Sequence, residues 1–308
     1  MPSSPRRLIA IINSAAGGDG KDSIAERLSE IFRAHEMQAR VVLVGDGAEI
    51  TAKTREAVHE RPHIIVAGGG DGTINAVASQ VVGTEIAFGV LPLGTLNHFA
   101  KALHLPLDVE EAAQVILTGS VIEVDVGEVN GRIFLNNSSL GLYPSLVRRR
   151  ETQQEQLGRG KWAAAAFAAL TLLRRHALLR VRLSVNGDEI ERRTPLVFIG
   201  NNAYQMSGLR IGERERLDAG QLSLYLPHGP GRRGLVMLAV RALFGRLRES
   251  ADFDALFAAS IGIKTHHARL PVAIDGEVAL MDTPLAYRIR PHALRVIVAQ
   301  TPSERGPV

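Results

Sequence analysis

Apolar residues in the first third of the chain come in short runs, separated by segments where they recur three or four positions apart. The runs at 8–12, 39–44, 63–67 and 86–91 predict strands, and the spaced patterns at 22–35, 48–60, 73–82, 96–102 and 108–117 predict helices. Strand alternating with helix implies a parallel sheet covered by helices. From residue 121 onward the texture changes. Strand-like segments at 122–129, 132–135, 180–185, 196–200, 222–226, 261–267, 272–274 and 295–299 dominate, interrupted by helical patterns at 162–173 and 234–247. The dipeptides Asn130-Gly131, Asn186-Gly187 and Asp275-Gly276 are tight-turn signals that join antiparallel neighbours. The chain therefore reads as an α/β domain over 1–122 followed by a β-rich domain over 123–289, with the termini at 1–5 and 301–308 expected to be disordered.

Candidate chemistry sits where strands end. Gly68-Gly69-Gly70-Asp71-Gly72-Thr73 follows the third run and precedes a helix on which Ile74, Val77, Ala78 and Val81 share a face. A strand-to-helix turn of this kind presents amide N–H groups and a positive helix end to an anion, and in parallel sheets ligands bind at that end of the strands. Glycine lets the backbone approach a phosphate closely. Thr73 is placed to donate to a phosphate or cap the helix, Asp71 to hold Mg²⁺ indirectly or orient an attacking hydroxyl, and Asn75 to fix the loop or reach a ligand. Gly94, Thr95 and Asn97 form a second such turn, with Thr95 read as a cap, so that two turns from neighbouring strands face one nucleotide. Asn13, Ser14, Ala15, Ala16 and Gly17 leave the first strand as a loop of small residues suited to adenine, ribose or phosphate. That loop is not a Walker A sequence, because Ala16 and Asp22 stand where a glycine and a hydroxyl are required around Lys21. Downstream, Asp275 and Glu277 flank Gly276 between two β-like runs. Read alone this is a hairpin tip; a carboxylate there is also a general base for an alcohol during phosphoryl transfer.

Composition narrows the class. At 308 residues with 45% apolar content the chain can fill roughly two cores. It has no cysteine, which excludes disulfides, thiolate-bound zinc and thiol nucleophiles, and cytosolic chemistry fits best. The apolar stretch at 162–173 is shorter than the ~20 residues of a spanning helix, so the protein is expected not to cross a bilayer. The net charge of +4 conceals a concentration of arginine and lysine at 148–182, opposed nearby only by Glu151 and Glu155, and the pattern at 234–247 is an arginine-flanked amphipathic helix. An anionic membrane surface suits both, with a solvated basic face or a core helix as the plain alternatives. Nucleic acid is not expected as a partner, since aromatics are only 5% of the chain and no nucleic-acid-binding signature is present.

Taken together, the islands around Gly68, Gly94 and Asp275, with Asn13–Gly17, resemble those of the diacylglycerol kinase catalytic-domain family, which includes bacterial lipid kinases and the sphingosine and ceramide kinases. The likeness extends through Asp125-Val126-Gly127, the stretch from Phe134 to Gly141, Gly200-Asn201-Asn202 and Asp218-Ala219-Gly220. It implies a phosphofructokinase- or NAD-kinase-like nucleotide domain and a C-terminal antiparallel β-sandwich that helps hold the lipid, with the active site between them and residues 290–308 returning to the first domain. By the same likeness Asn13–Gly17, Gly68–Ile74 and Thr95 contact ATP, with Mg²⁺ as the metal and a lipid as substrate. Asp275 or Glu277 accepts the proton, Asp71 being a third candidate. Two departures stand out. Ala219 replaces the second of two aspartates that bind a structural Mg²⁺ in many bacterial relatives, leaving Asp218 a weak metal candidate. Val44 stands where relatives place a nucleotide-touching threonine, a role Asp46 is positioned to fill. The reading is an ATP-dependent lipid kinase, cytoplasmic with peripheral membrane contact; its alternatives are a non-catalytic sensor of the same fold and a kinase for a soluble alcohol.

Overall fold

A computed structural model describes residues 6–14, 21–35, 37–141, 178–205, 214–227 and 253–300. The helices expected at 162–173 and 234–247, with most of the arginine-rich segment, lie outside the described residues. Two compact units divide the chain, Met1–Val126 with His292–Val308, and Gly127–Pro291. The first contains β1 (Arg7–Asn13), α1 (Lys21–Ala34), β2 (Gln38–Val44), α2 (Gly47–His59), β3 (Ile64–Gly69), α3 (Asp71–Val81), β4 (Ala87–Pro92), α4 (His98–Ala102) and α5 (Val109–Thr118). The second is built from β5 (Ser120–Val129), β6 (Arg132–Phe134), β7 (Asn137–Gly141), β8 (Leu179–Val185), β9 (Asp188–Thr194), β10 (Leu196–Asn201), β11 (Leu222–Pro227), β12 (Phe253–Ala258), β13 (Ser260–Thr265), β14 (Arg269–Ile274), β15 (Glu277–Asp282) and β16 (Leu285–Val298). β5 begins and β16 ends in the first unit.

In the first unit the order β2-β1-β3-β4 is parallel throughout, and Val296 of β16 adds to the edge opposite Phe88. All six residues of β3 and all six of β4 are buried, as strands covered on both faces require. Leu28 and Phe32 of α1 and Ala112, Ala113 and Ile116 of α5 close over Leu8, Ala10, Ile64 and Val66 in one cluster. Helix α5 starts cleanly because Asp108 accepts from the N–H groups of Glu110 (3.0 Å) and Glu111 (3.1 Å). The expected helix at 96–102 begins only at His98, because Asn97 adopts a left-handed φ of 51°.

The second unit is two antiparallel layers. One contains β13 paired with both β16 and β8, and β8 paired with β9; the other runs β12-β11-β10-β7-β14-β15. Leu183, Ile263 and Tyr287 from the first layer meet Leu140, Ile199, Leu224 and Val272 from the second in a single core. The three glycine turns close hairpins as expected, pairing Val129 with Arg132, Val185 with Asp188 and Ile274 with Glu277. Each carries two successive positive φ values, 45° and 83° at Asn130-Gly131, 53° and 91° at Asn186-Gly187, and 45° and 90° at Asp275-Gly276, the geometry of a type I′ turn.

Strand β7 is absent from the sequence reading, and its chemistry shows why. Asn137-Ser138-Ser139 looks like loop, yet it lies between β10 and β14. The buried Ser138 hydroxyl is satisfied by the Ala273 carbonyl at 2.9 Å and the Tyr287 hydroxyl at 3.0 Å, so polar side chains tolerate a central position. Strand β12 and the first half of β16 are likewise additions, made by pairing rather than by local hydrophobicity, while β9 and β15 are the partner strands that the glycine turns imply. The basic segment also differs from expectation, since β9 brings Glu191 against Arg180 at 3.0 Å. That hydrogen bond and charge hold the Glu191 carboxyl below the usual glutamate range.

Gly127 of β5 has no room for a side chain, since a Cβ there would lie 2.3 Å from two carbons of the Phe134 ring. Phe134 is itself fully buried and edge-on to Tyr287. Gly127→Ala is therefore expected to cost about 1–3 kcal/mol in urea unfolding, the usual penalty for overpacking a filled core; an unchanged midpoint would show that the ring can move aside.

Candidate functional site

In the first unit the site is made by two glycine turns whose backbones touch. A Cβ on Gly94 would lie 2.4 Å from the Gly70 Cα, and one on Gly69 would lie 2.5 Å from the Thr73 Cβ. Glycine at these positions is a requirement of close approach. Leu93 N–H donates to the Gly69 carbonyl at 3.0 Å, which extends the β3–β4 pairing into the turns.

Gly70 is the N-cap of α3, and no side chain caps that helix. The first intrahelical bond runs from Ile74 N–H to the Gly70 carbonyl at 3.0 Å. The N–H groups of Asp71, Gly72 and Thr73 therefore project from the helix end, where the dipole favours an anion. Asp71 is not the cap of its own helix. Its Oδ1 accepts from Phe99 N–H at 3.2 Å, in the first turn of α4, so one carboxylate ties the two turns together. Thr73 is buried, and its hydroxyl accepts from Asn13 Nδ2 at 3.0 Å, which anchors the helix start to the end of β1.

Several residues expected at the ligand also hold the turns together. Ile74 is fully buried and its N–H is engaged, so it anchors the helix and has nothing to offer a nucleotide. Asn97, 5% exposed, clamps its own turn, with Nδ2 donating to the Gly94 carbonyl at 2.8 Å and Oδ1 accepting from Gly94 N–H at 3.1 Å. It also takes the N-cap position expected for Thr95, which is left exposed. Ser14 is held to β2, its N–H and its hydroxyl donating to the Val44 carbonyl at 2.8 and 2.9 Å. Asn75 is half-buried within α3, its carbonyl accepting from Ser79 at 2.8 Å. Ala15, Ala16 and Gly17 lie outside the described residues. Asp46 does not stand in for the missing threonine, because it caps α2 by accepting from Glu49 N–H at 2.8 Å.

The second unit separates its two carboxylates. Asp275 Oδ2 accepts from Leu135 N–H at 2.7 Å, and Oδ1 accepts from the N–H groups of Asn136 (2.8 Å) and Asn137 (2.9 Å). Its own N–H donates to the Asn137 carbonyl at 2.9 Å. Asp275 thus binds the β6–β7 link to the hairpin tip. Glu277 stands two residues on, exposed, with no hydrogen bond or ion pair from its carboxylate among the described residues. The family likeness marks the stretch from Phe134 to Gly141 without giving its amides a task; the task of the amides at 135–137, like that of the Phe99 amide, shows only in the carboxylates they meet.

Metal fit differs between the candidates. Asp218 pairs with Arg216, at 3.0 Å from Nε to Oδ1 and 3.3 Å from Nη2 to Oδ2, so both its carboxylate oxygens already accept from a guanidinium. Among the described residues no three acidic or histidine side chains gather as a metal cage. Asp71, beside the uncapped start of α3, fits the other mode, in which Mg²⁺ takes one carboxylate, substrate phosphates and water. No helix among the described residues is long and apolar enough to cross a membrane.

Two family models match successive parts of the chain. Residues 7–129 match the family described as the diacylglycerol kinase catalytic domain, and residues 145–298, half of the chain, match the YegS C-terminal NAD kinase beta sandwich-like domain. A protein named diacylglycerol kinase from Staphylococcus carnosus is 25% identical over 84% of this chain and 85% of its own length. Another of that name from Staphylococcus aureus is 28% identical over 59% of this chain, covering 57% of the relative. A crystal structure described as a diacylglycerol kinase from Bacillus anthracis strain Sterne shares the fold, with a TM-score of 0.71 at 19% identity over 98% of this chain and 99% of the other.

The unequal engagement of the two carboxylates predicts unequal stability effects. Asp275→Ala leaves three backbone donors without their charged acceptor and is expected to cost about 3–5 kcal/mol in chemical denaturation. Glu277→Ala is expected to stay within about 0.5 kcal/mol of the parent, as exposed substitutions do. Equal losses for the two would contradict the assignment.

Proposed function

The chain belongs to the diacylglycerol kinase catalytic-domain family of kinases, and on that premise we propose that it transfers the γ-phosphoryl group of ATP to a hydroxyl of a diacylglycerol-like lipid. The lipid class follows the names of the relatives. The observation that carries the proposal is the pairing of a fixed carboxylate with an unengaged one at a single hairpin tip. Asp275 holds the tip, and Glu277 retains a carboxylate able to accept a proton.

Each unit supplies one part of the chemistry. In the first, the N–H groups opening α3 bind phosphate oxygens, and the backbone contact of Gly70 with Gly94 fixes their direction before the ligand arrives. Mg²⁺ bound with the nucleotide would neutralise charge on the phosphates, with Asp71 the carboxylate offered to it. From the second unit, Glu277 takes the proton as the lipid hydroxyl oxygen bonds to the γ-phosphorus. The bond from that phosphorus to the β–γ bridging oxygen breaks, and ADP leaves. Peripheral contact with an anionic membrane accords with a lipid substrate and with the excess of basic residues in the sequence.

The test is purified protein with γ-labelled ATP and vesicles of diacylglycerol, phosphatidylglycerol or sphingoid lipid, alongside soluble alcohols including NAD. Label in a lipid supports the proposal. Label only in a soluble alcohol, or ATP binding with no transfer, replaces it by the soluble-alcohol kinase or the sensor. Glu277→Gln is expected to lower kcat by about 10²–10⁴ with an unchanged melting temperature. Gly94→Ala, which forces the two turns apart, should cost about 10² in kcat/KM, as a misplacement on the order of an ångström does.

A further inference from the structure

Arg214 is buried, only 5% exposed, with its charge in the interior of the second unit. Its Nη1 donates to the Leu135 carbonyl at 2.7 Å and the Asn201 carbonyl at 3.2 Å, and its Nη2 donates to Asn136 Oδ1 at 2.9 Å. The guanidinium also lies 5.5 Å from the centre of the Tyr204 ring. Every one of these partners is neutral, and among the described residues Arg214 has no ion pair. A buried cation with only neutral partners is costly unless a negative charge lies within reach.

The carboxylate of Asp275 is bound to the same segment, 135–137, that Arg214 holds. Leu135 donates its N–H to Asp275 and offers its carbonyl to Arg214; Asn136 donates its N–H to Asp275 and offers its side-chain oxygen to Arg214. Polar groups aligned from cation to anion are stabilised at both ends. Tyr204 reports both charges. Burial raises its hydroxyl above the ordinary tyrosine pKa, while Arg214 pulls it down and Asp275 pushes it up. Asn201 completes the brace, donating from Nδ2 to the Leu135 carbonyl and from its N–H to the Asn136 carbonyl, both at 2.9 Å.

We propose that Arg214 is a positioning residue for phosphoryl transfer, holding segment 135–137 so that Asp275, and through it the Glu277 carboxylate, is fixed in place. This rests on the assignment of Glu277 as proton acceptor. Arg214 touches no substrate. Its action is on where the base stands, so its loss falls on the chemical step and spares nucleotide affinity, whose groups belong to the first unit.

The experiment compares Arg214→Met, which removes the charge, and Arg214→Lys, which keeps the charge but not the fork, by steady-state kinetics and by hydrogen exchange at individual amides. Arg214→Met is expected to lower kcat about 10²-fold at an unchanged KM for ATP. It should also speed exchange at Leu135, Asn136 and Asn137 by at least about tenfold without affecting β11 and β12, with Arg214→Lys recovering part of both. An unchanged kcat, a KM for ATP that rises as far as kcat falls, or faster exchange throughout the unit would overturn the proposal. Should Arg214→Met fail to fold, Asn136→Ala removes one acceptor of the same fork and must give the same local change in exchange. A parent protein that phosphorylates no lipid defeats the proposed function, whereas unchanged exchange at 135–137 defeats the role of Arg214, so the two failures are distinguishable.

Discussion

Three backbone N–H groups converge on one carboxylate, and the chemistry assigned to the second unit depends on that convergence. Asp275 stands at the first central position of a type I′ turn, with φ 45°, a conformation that aspartate tolerates because its short side chain can satisfy nearby backbone. Here the satisfaction is distant in sequence. The Asp275 carboxylate reaches the amides of Leu135, Asn136 and Asn137 and holds β6–β7 to the β14–β15 hairpin. Hydrogen bonds to a charged acceptor contribute more than neutral ones, so a turn that would otherwise fray becomes a rigid mount. A proton acceptor is useful only if its position is fixed before substrate arrives, and Glu277, the residue proposed for that role, follows that mount by two residues.

The first unit meets an equivalent demand without charge. The uncapped start of its helix α3, where phosphate is proposed to bind, is set by contact between two backbones, Gly70 against Gly94, which any side chain at Gly94 would disrupt. Asp71 and Asn97 then act as stitches. One carries a carboxylate oxygen from the first turn to the start of α4, and the other folds back on Gly94. Among the described residues the N–H groups at the opening of α3 have no partner, and the nearby Asp71 and Asn97 side chains are engaged with Phe99 and Gly94. A helix end so prepared needs no reorganisation to receive phosphate.

Buried polarity is distributed unevenly in consequence. Arg214, Asn136, Asn201 and Asn202 are all nearly inaccessible, and they cluster behind the Asp275 segment rather than being scattered through the sandwich. The core proper, built from residues such as Leu183, Ile263, Leu224 and Val272, is mainly apolar, with the Ser138 and Tyr287 hydroxyls paired inside it. An apolar core can hold two sheets together but is indifferent to small displacements of a turn. A satisfied polar network is directional and holds that turn in one place.

The architecture was legible in the residues because its causes are local. Short apolar runs alternating with amphipathic segments define the parallel sheet, glycine islands mark its turns, and two-residue glycine turns define three hairpins whose φ values only such residues adopt readily. Strand β7 was illegible because its serines are buried in a pairing supplied by neighbours far along the chain. The choice between Asp275 and Glu277 was undecidable for the same reason. The two carboxylates look alike two positions apart, and what separates them is a set of amides some 138–140 residues away in sequence. Local pattern determines which groups are offered at a turn; only tertiary structure decides which of them are already taken, because a hydrogen bond depends on distance in space and direction rather than on separation along the chain.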